Sequence, residues 1–215
     1  MTVAMGSADL SEADARAVYD VVRSGRLALG PKMEEFEAGI RDYVNVKHAV
    51  AVNSGTAALH VLVRSLGLTP GDKVLVPSFT FAATVNVLLY EGLTPVFVDI
   101  EPETYNLDIS SLSDRALRAK ALVAVDVFGH PADWDVIEAY VSEHGLAVID
   151  DSCEALGAEF KSRKIGQFGD GAAFAFYPNK QMTTGEGGVV VTNRDDIATL
   201  ARSLRNQGRG EMGSW

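Results

Sequence analysis

The segment that decides the fold is GAAFAFYPNKQMTTGEGGVVV, which runs from Gly171 to Val191. It begins with the small and aromatic residues of a buried strand, and it ends with three valines that predict a second strand. Between the two lie Lys180 and a run of small polar residues and glycines. The pattern predicts two core strands joined by a tight connection that carries a charged amine.

Predicted strands and helices alternate along the rest of the chain. The strands read HAVAVNS, VLVPS, PVFVDI, ALVAVDVFG, LAVIDD, GAAFAFYP and GGVVVTN. The helices read LSEADARAVYDVVRSG, PKMEEFEAGIRDYV, GTAALHVLVRSLG, FAATVNVLLYEG, ADWDVIEAYVSEHG and RDDIATLARSLRNQG. Nearly continuous apolar strands that alternate with helices are typical of an α/β fold, with a mostly parallel sheet covered by helices on both faces.

Composition excludes several classes of function. The chain has 215 residues, 47% of them hydrophobic, which suits a globular domain with a substantial core. A net charge of -10 disfavours nucleic acid and anionic membranes as partners. The single cysteine, Cys153, leaves no intrachain disulfide. No signal peptide and no apolar run of about 20 residues is visible, so we expect a cytoplasmic protein.

Polar segments follow five of the predicted strands. In open parallel sheets the binding crevice lies at the carboxyl ends of the strands, so these segments should converge on one rim. They are residues 53–56, 77–81, 126–130, 150–154 and 178–180.

Two of these segments suit a phosphorylated, planar ligand. Gly55 and Thr56 open a helix, whose free N–H groups bind phosphate well. An ordinary turn capped by Ser54 or Thr56 explains the same residues and is the commoner case. Phe81 could cover a planar ring, although an isolated aromatic residue more often belongs to the core.

Carboxylates end one strand, and an amine follows another. Asp151 could pair with a protonated ring nitrogen or act as a base, and a solvated strand end explains it equally well. For Asp150, on the other face of the strand, the structural role is favoured. A lysine between buried strands has a destabilised ammonium, which makes Lys180 a candidate nucleophile. The alternative interpretation of Lys180 is a loop lysine whose side chain extends to solvent.

Together these features require a ligand with a phosphate, a flat ring, a basic ring nitrogen and a carbonyl group. Pyridoxal phosphate has all four. No metal site is predicted, because no histidine lies at ligand spacing near the paired aspartates. The phosphate-loop, nucleophile-elbow and dinucleotide motifs are absent from the sequence.

The motifs NSGTAALH, VIDDSCEALGAEF and FGDGAAFAFYPNKQMTTGEGGVVVTN resemble the DegT/StrS family of sugar aminotransferases. The resemblance also covers VVRSGRLALGPKMEEFE and PSFTFAATVNVLLYEGLTPVFVDIEPETYNLD. It implies that residues 1–215 form the large domain of the type I pyridoxal-phosphate fold. Helices up to about residue 45 would precede the rest of this domain. The small C-terminal domain of the family would lie beyond this chain, and the family is expected to form homodimers.

The resemblance also assigns roles to individual residues. It implies that Lys180 forms the Schiff base, that Asp151 pairs with the pyridine nitrogen and that Phe81 stacks on the ring. The turn of Gly55, Thr56 and Ala57 would bind the phosphate. Two positions depart from the family: Ala175 replaces a serine that contacts phosphate, and Glu154 stands where many members carry Gln or His near the cofactor.

The reaction implied is the transfer of an amino group from L-glutamate to a keto sugar, expected to be nucleotide-linked. Lys180 decides between relatives, because members that carry histidine at this position act as sugar dehydratases. The alternatives are a dehydratase or another pyridoxal-phosphate lyase on the same fold, or a truncated fragment without activity.

Overall fold

The structure, a computed structural model, describes residues 8–112 and 118–210. Its helices are α1 (Glu12–Ser24), α2 (Pro31–Val44), α3 (Gly55–Ser65), α4 (Ala82–Tyr90), α5 (Trp134–His144) and α6 (Asp195–Arg205). Its strands are β1 (His48–Val52), β2 (Lys73–Pro77), β3 (Thr94–Val98), β4 (Ala119–Val125), β5 (Ala147–Asp151), β6 (Glu159–Phe160), β7 (Arg163–Lys164), β8 (Gly171–Ala175) and β9 (Gly188–Thr192). The predicted domain of 1–215 therefore includes three short segments outside the described residues.

Seven strands form one sheet in the order β1-β9-β8-β5-β4-β2-β3. The four pairs from β8 to β3 are parallel. Strand β9 runs antiparallel to both of its neighbours, with Ala175 opposite Gly188. The mostly parallel α/β sheet is confirmed. The direction of β9 was not predicted, and it places the start of β9 beside the ends of β8 and β1.

Helices cover both faces of this sheet, as predicted. Helices α3, α4 and α6 pack on one face, where Leu62, Leu88 and Ile197 are buried against Val190. Helices α2 and α5 pack on the other face through residues such as Val44 and Trp134. Because side chains of a strand alternate between its faces, Asp150 and Asp151 at the end of β5 belong to different cores.

Local capping explains where the first two helices begin and end. Ser11 caps α1 in a reciprocal pair with Asp14, and Gly25 ends it at a φ of 70°. Pro31 occupies the first turn of α2. Within the described residues, no helix is both long and apolar enough to cross a membrane.

The carboxyl group of Asp150 is fully buried, which corrects the expectation of a solvated strand end. Neither of its oxygens has a hydrogen-bond partner among the described residues. Its neighbour is the buried Asp126, which accepts bonds from the Ala132 N–H at 2.8 Å and the Ser152 hydroxyl at 3.1 Å. Burial raises the pKa of Asp150 well above its usual value, and the charge of Asp126 raises that pKa further.

We expect Asp150→Asn to stabilise the protein increasingly as pH rises. In the wild type, burial raises the pKa of both Asp126 and Asp150. The folded state therefore binds more protons than the unfolded chain. The free energy of unfolding then falls as pH rises from about 3.9 through the raised values. Asparagine has nearly the same shape and removes one of the two ionisations.

Thermal unfolding at pH values on both sides of neutrality measures this effect. The difference in Tm between variant and wild type should grow by several degrees toward alkaline pH, since about 1 kcal/mol moves Tm by roughly 2–4 °C at this size. Asp9→Asn, at an exposed position, is the control. A Tm difference that stays constant with pH would contradict the raised pKa of Asp150.

Candidate active site

A cavity of about 600 Å³ opens at the carboxyl edge of the sheet. All five segments expected to converge there supply lining residues: 54–56, 79–81, 126–128, 151 with 153–154, and 179–180. Gly187, directly before β9, also lines the cavity, which the sequence did not predict.

The N-terminus of α3 forms one wall of the cavity. Ser54 caps the helix, and its hydroxyl accepts the Ala57 N–H at 3.1 Å. The N–H groups of Gly55 and Thr56 have no acceptor among the described residues, and both residues line the cavity. Ala57 does not line it. The structure therefore offers two free N–H donors of the three-residue turn to an anion.

Two glycines are required by close backbone packing at this wall. A Cβ on Gly55 would lie 2.7 Å from the Cβ of Ala175 and 3.0 Å from Cys153 Sγ. A Cβ on Gly188 would lie 2.2 Å from the carbonyl oxygen of Ser54. Because β9 reaches the α3 cap this closely, only glycine fits at its first residue.

Gly188→Ala should therefore destabilise the fold and displace the cap of α3. We expect a loss of about 1–3 kcal/mol, since the obstructing atoms are backbone and cannot rotate away. Gly39→Ala is the matched control, because no atom lies within 4 Å of its new Cβ in α2. It should gain roughly 0.5–1 kcal/mol. Urea unfolding of both variants checks the pair, and equal stabilities would contradict the packing argument.

Asp151 ends β5 inside the cavity, with 6% of its surface exposed. Its Oδ2 accepts the hydroxyl of Thr84 at 2.6 Å, and its Oδ1 accepts the Cys153 N–H at 3.3 Å. Burial raises the pKa of Asp151, while the nearby Lys180 charge partly opposes this shift. A cationic ligand beside this buried carboxyl group would favour the ionised form of the group.

Thr84 is a site residue that sequence reasoning missed. It lies in the first turn of α4, and its hydroxyl is 2.8 Å from that of Thr80. Thr80 lies two residues before the helix, so the two hydroxyls meet across the start of α4, and the sequence carried no periodic signal for this contact. The chain of hydroxyls fixes the orientation of the Asp151 carboxyl group.

Lys180 extends from the loop after β8 into the same cavity, and 17% of its side chain is exposed. The expectation of a poorly solvated amine agrees with this burial. The amine is nevertheless not unpaired, because its Nζ lies 2.8 Å from Glu154 Oε1. Lys180 and Asp151 thus meet in the cavity from two adjacent strands of the sheet.

Phe81 precedes α4 at the cavity, and 79% of its surface is exposed, so the core alternative is wrong. Two further aromatic residues, Phe79 and Phe128, line the cavity with their ring centroids 6.0 Å apart. The sequence placed both residues in rim segments but assigned neither ring a role, because in sequence they are indistinguishable from core residues. The exposed rings give the cavity an apolar entrance.

The thiol of Cys153 contributes packing and no nucleophile. It lies under Gly55, and burial raises its pKa well above the usual value, so the neutral thiol persists. Within residues 8–112 and 118–210, no group of three or more His, Cys, Asp or Glu side chains is placed to hold a metal ion.

The fold and the cavity define the class: an α/β domain whose ligand site is built at the carboxyl ends of its strands. Sequence comparison supplies the family. The chain matches the DegT/DnrJ/EryC1/StrS aminotransferase family over residues 8–215 and belongs to it.

Several characterised proteins are similar to the chain. It is 46% identical to GDP-perosamine synthase of Caulobacter vibrioides, covering 84% of this chain and 49% of the relative. It is 42% identical to dTDP-3-amino-3,4,6-trideoxy-alpha-D-glucose transaminase of Streptomyces venezuelae, covering 92% and 52%. The chain thus spans about half the length of these curated relatives.

A solved structure is similar over the full chain. It is the PLP form of Spr1654, a protein of Streptococcus pneumoniae described as a putative sugar aminotransferase, with a TM-score of 0.88 and 28% identity. The match covers 100% of this chain and 60% of that one. The similarity extends the family assignment to the whole three-dimensional fold.

Proposed function

We propose that the chain carries the cofactor-binding and catalytic part of a pyridoxal-phosphate-dependent aminotransferase that acts on a nucleotide-linked keto sugar. One observation carries the proposal. The Lys180 amine, the buried Asp151 carboxyl group and the free N–H groups of α3 line one cavity. The proposal treats the chain as the family's large domain, working as a cytoplasmic homodimer.

The cavity offers a partner to each chemical group of pyridoxal phosphate. The N–H groups of Gly55 and Thr56 would hold the phosphate, helped by the positive end of the α3 dipole. Ala57 would belong to this turn through its place in the helix, since its own N–H already donates to Ser54. Ala175 adds a methyl group in the place of a hydroxyl, so the backbone supplies more of the phosphate contact.

The ring would lie between Phe81 and the floor of the cavity. Asp151 would pair with the protonated ring nitrogen, which gives its buried carboxyl group the cation that it lacks. Phe81 is free to stack because its ring is not packed into the core. Glu154 would lie near the cofactor through its bond to Lys180.

When bound, pyridoxal phosphate supplies an aldehyde that bonds to amines and a protonated ring that withdraws electrons. The protein supplies the rest. Lys180 Nζ would hold the cofactor at its aldehyde carbon, and the same amine would carry a proton to and from the substrate carbon. The Asp151 carboxylate would hold the proton on the ring nitrogen throughout. We propose L-glutamate as donor.

The acceptor is proposed from the named activities of the relatives. One makes a GDP-linked amino sugar, and another is a transaminase of a dTDP-linked amino sugar. The two nucleotides differ, and both products carry an amino group on the sugar. A keto sugar joined to a nucleotide is therefore the class of acceptor proposed.

Borohydride trapping tests the proposal. The 215-residue chain is incubated with pyridoxal phosphate, reduced with borohydride and digested for peptide mapping. We expect the label on Lys180, and a label elsewhere or none would end the proposal. Release of 2-oxoglutarate from glutamate would then separate a transaminase from a dehydratase, while molecular size and cofactor colour would expose an inactive fragment.

A further inference from the structure

Glu154 receives a hydrogen-bond donor at each of its two carboxylate oxygens. Its Oε1 lies 2.8 Å from the Nζ of Lys180, and its Oε2 accepts the backbone N–H of Phe128 at 3.2 Å. The two donors follow different strands of the sheet, β8 and β4, while Glu154 follows β5. The side chain therefore bridges the ends of three neighbouring strands.

The backbone of Glu154 is held by the same two segments. Its carbonyl oxygen accepts a bond from the side-chain amide of Gln181, the residue after Lys180. A Cβ on Gly129 would lie 2.8 Å from that carbonyl, so the turn after β4 contacts it directly. Gly129 has a φ of 82°, which glycine adopts without strain. The position of the carboxylate is thus fixed from both sides.

The two donors specify a carboxylate at this position. An ammonium group and a backbone N–H can only donate, so both need an acceptor. Glutamine has the same shape but one acceptor oxygen, and its amide nitrogen would face a donor at one of the two positions. This chain therefore has a physical reason to carry Glu at position 154.

We propose that Glu154 is a positioning residue that ties the Lys180 amine to the Phe128 turn and keeps it engaged until a carbonyl ligand enters the cavity. The inference deepens the proposed function and rests on it. Because Lys180 Nζ lies 2.8 Å from Glu154 Oε1, a ligand must displace this ion pair before it can bond to the amine.

The test measures the reactivity of the amine in the absence of pyridoxal phosphate. Acetic anhydride transfers an acetyl group to a neutral amine and releases acetate, while the lost proton goes to the buffer. Limited acetylation near neutral pH, read by peptide mapping, gives the rate at Lys180 relative to the other lysines of the same molecule. We expect Glu154→Gln to raise that relative rate about three- to tenfold, because the amine loses the ionic partner that holds it in place.

Two further variants make the result specific. Glu159→Gln removes the same charge from an exposed position outside the cavity and should leave the relative rate at Lys180 unchanged. Glu154→Asp keeps the charge on a shorter side chain that cannot reach both donors, so its rate should fall between wild type and Glu154→Gln. Circular dichroism verifies folding, and Glu154→Asp carries the test if Glu154→Gln fails to fold.

The failure of this inference can be told from the failure of the proposed function. If the folded Glu154 variants acetylate Lys180 at the wild-type rate or more slowly, the tether is wrong, even if borohydride trapping labels Lys180. If acetylation accelerates as expected but pyridoxal phosphate never labels Lys180, the tether stands and the aminotransferase proposal fails.

Discussion

Lys180→Met should abolish covalent trapping of pyridoxal phosphate and lower any transamination rate by about 10³-fold or more, since the same amine would serve as bonding group and proton carrier. Methionine fills the space of the lysine stem without a charge or a donor. The fold should persist, because Lys180 lies in a loop and its removal empties no part of either core. Peptide mapping after borohydride reduction and a 2-oxoglutarate assay measure the two effects.

Lys32→Met is the control for this experiment. Lys32 is a surface residue whose side chain is 66% exposed and pairs with Glu35 in α2. Its loss should change neither trapping nor turnover, because it does not line the cavity. If the Lys180→Met protein still acquired a reducible label at the wild-type level, another amine would be the cofactor's partner.

The sequence predicts most of the elements because each carries a local signal. Short runs rich in β-branched residues, such as AVIDD and GGVVV, are typical of strands of a covered sheet, and glycines or caps mark the helix ends. The direction of β9 carries no such signal, since a valine run pairs equally well in either orientation. The short hairpin of β6 and β7 was missed because two-residue strands show no period.

The sequence predicts which strand ends form the site, but it does not predict the contacts between their side chains. The rule for parallel sheets places Asp151, Lys180 and the α3 turn on one rim, which the structure confirms. Pairwise contacts between strand ends depend on side-chain conformation, so the bond from Lys180 to Glu154 was not predicted. The burial of Asp150 was also missed, because residues near the end of a strand give no indication of whether a loop covers them.

Asp151→Asn should lower turnover strongly without destabilising the ligand-free protein. We expect this contrast to be larger than for any other single change in the cavity. We expect turnover to fall by about 10²-fold or more, because an amide cannot neutralise a protonated ring nitrogen. The affinity for pyridoxal phosphate should weaken as well, since the cation would lose its buried counter-charge. Equilibrium binding, followed by the change in visible absorption, gives the second readout where turnover of the chain is too slow.

The ligand-free variant should fold normally, because the local hydrogen bonds can be satisfied. The amide nitrogen can donate to the Thr84 hydroxyl, which then donates to Thr80, and the amide oxygen can accept the Cys153 N–H. Burial raises the pKa of Asp151, so ionisation costs the wild type stability as pH rises above about 3.9 through the folded value. The variant's Tm should therefore equal or exceed that of the ligand-free wild type at alkaline pH.

Asp150→Asn is the matched control, because it makes the same change one residue away on the opposite face of β5. Asp150 does not line the cavity, so its substitution should leave cofactor affinity and turnover within a few-fold of wild type while raising Tm at alkaline pH. Only Asp151→Asn should lose affinity. Undiminished affinity and turnover in Asp151→Asn, or equal losses in both variants, would show that the carboxyl group facing the cavity does not hold the ring nitrogen.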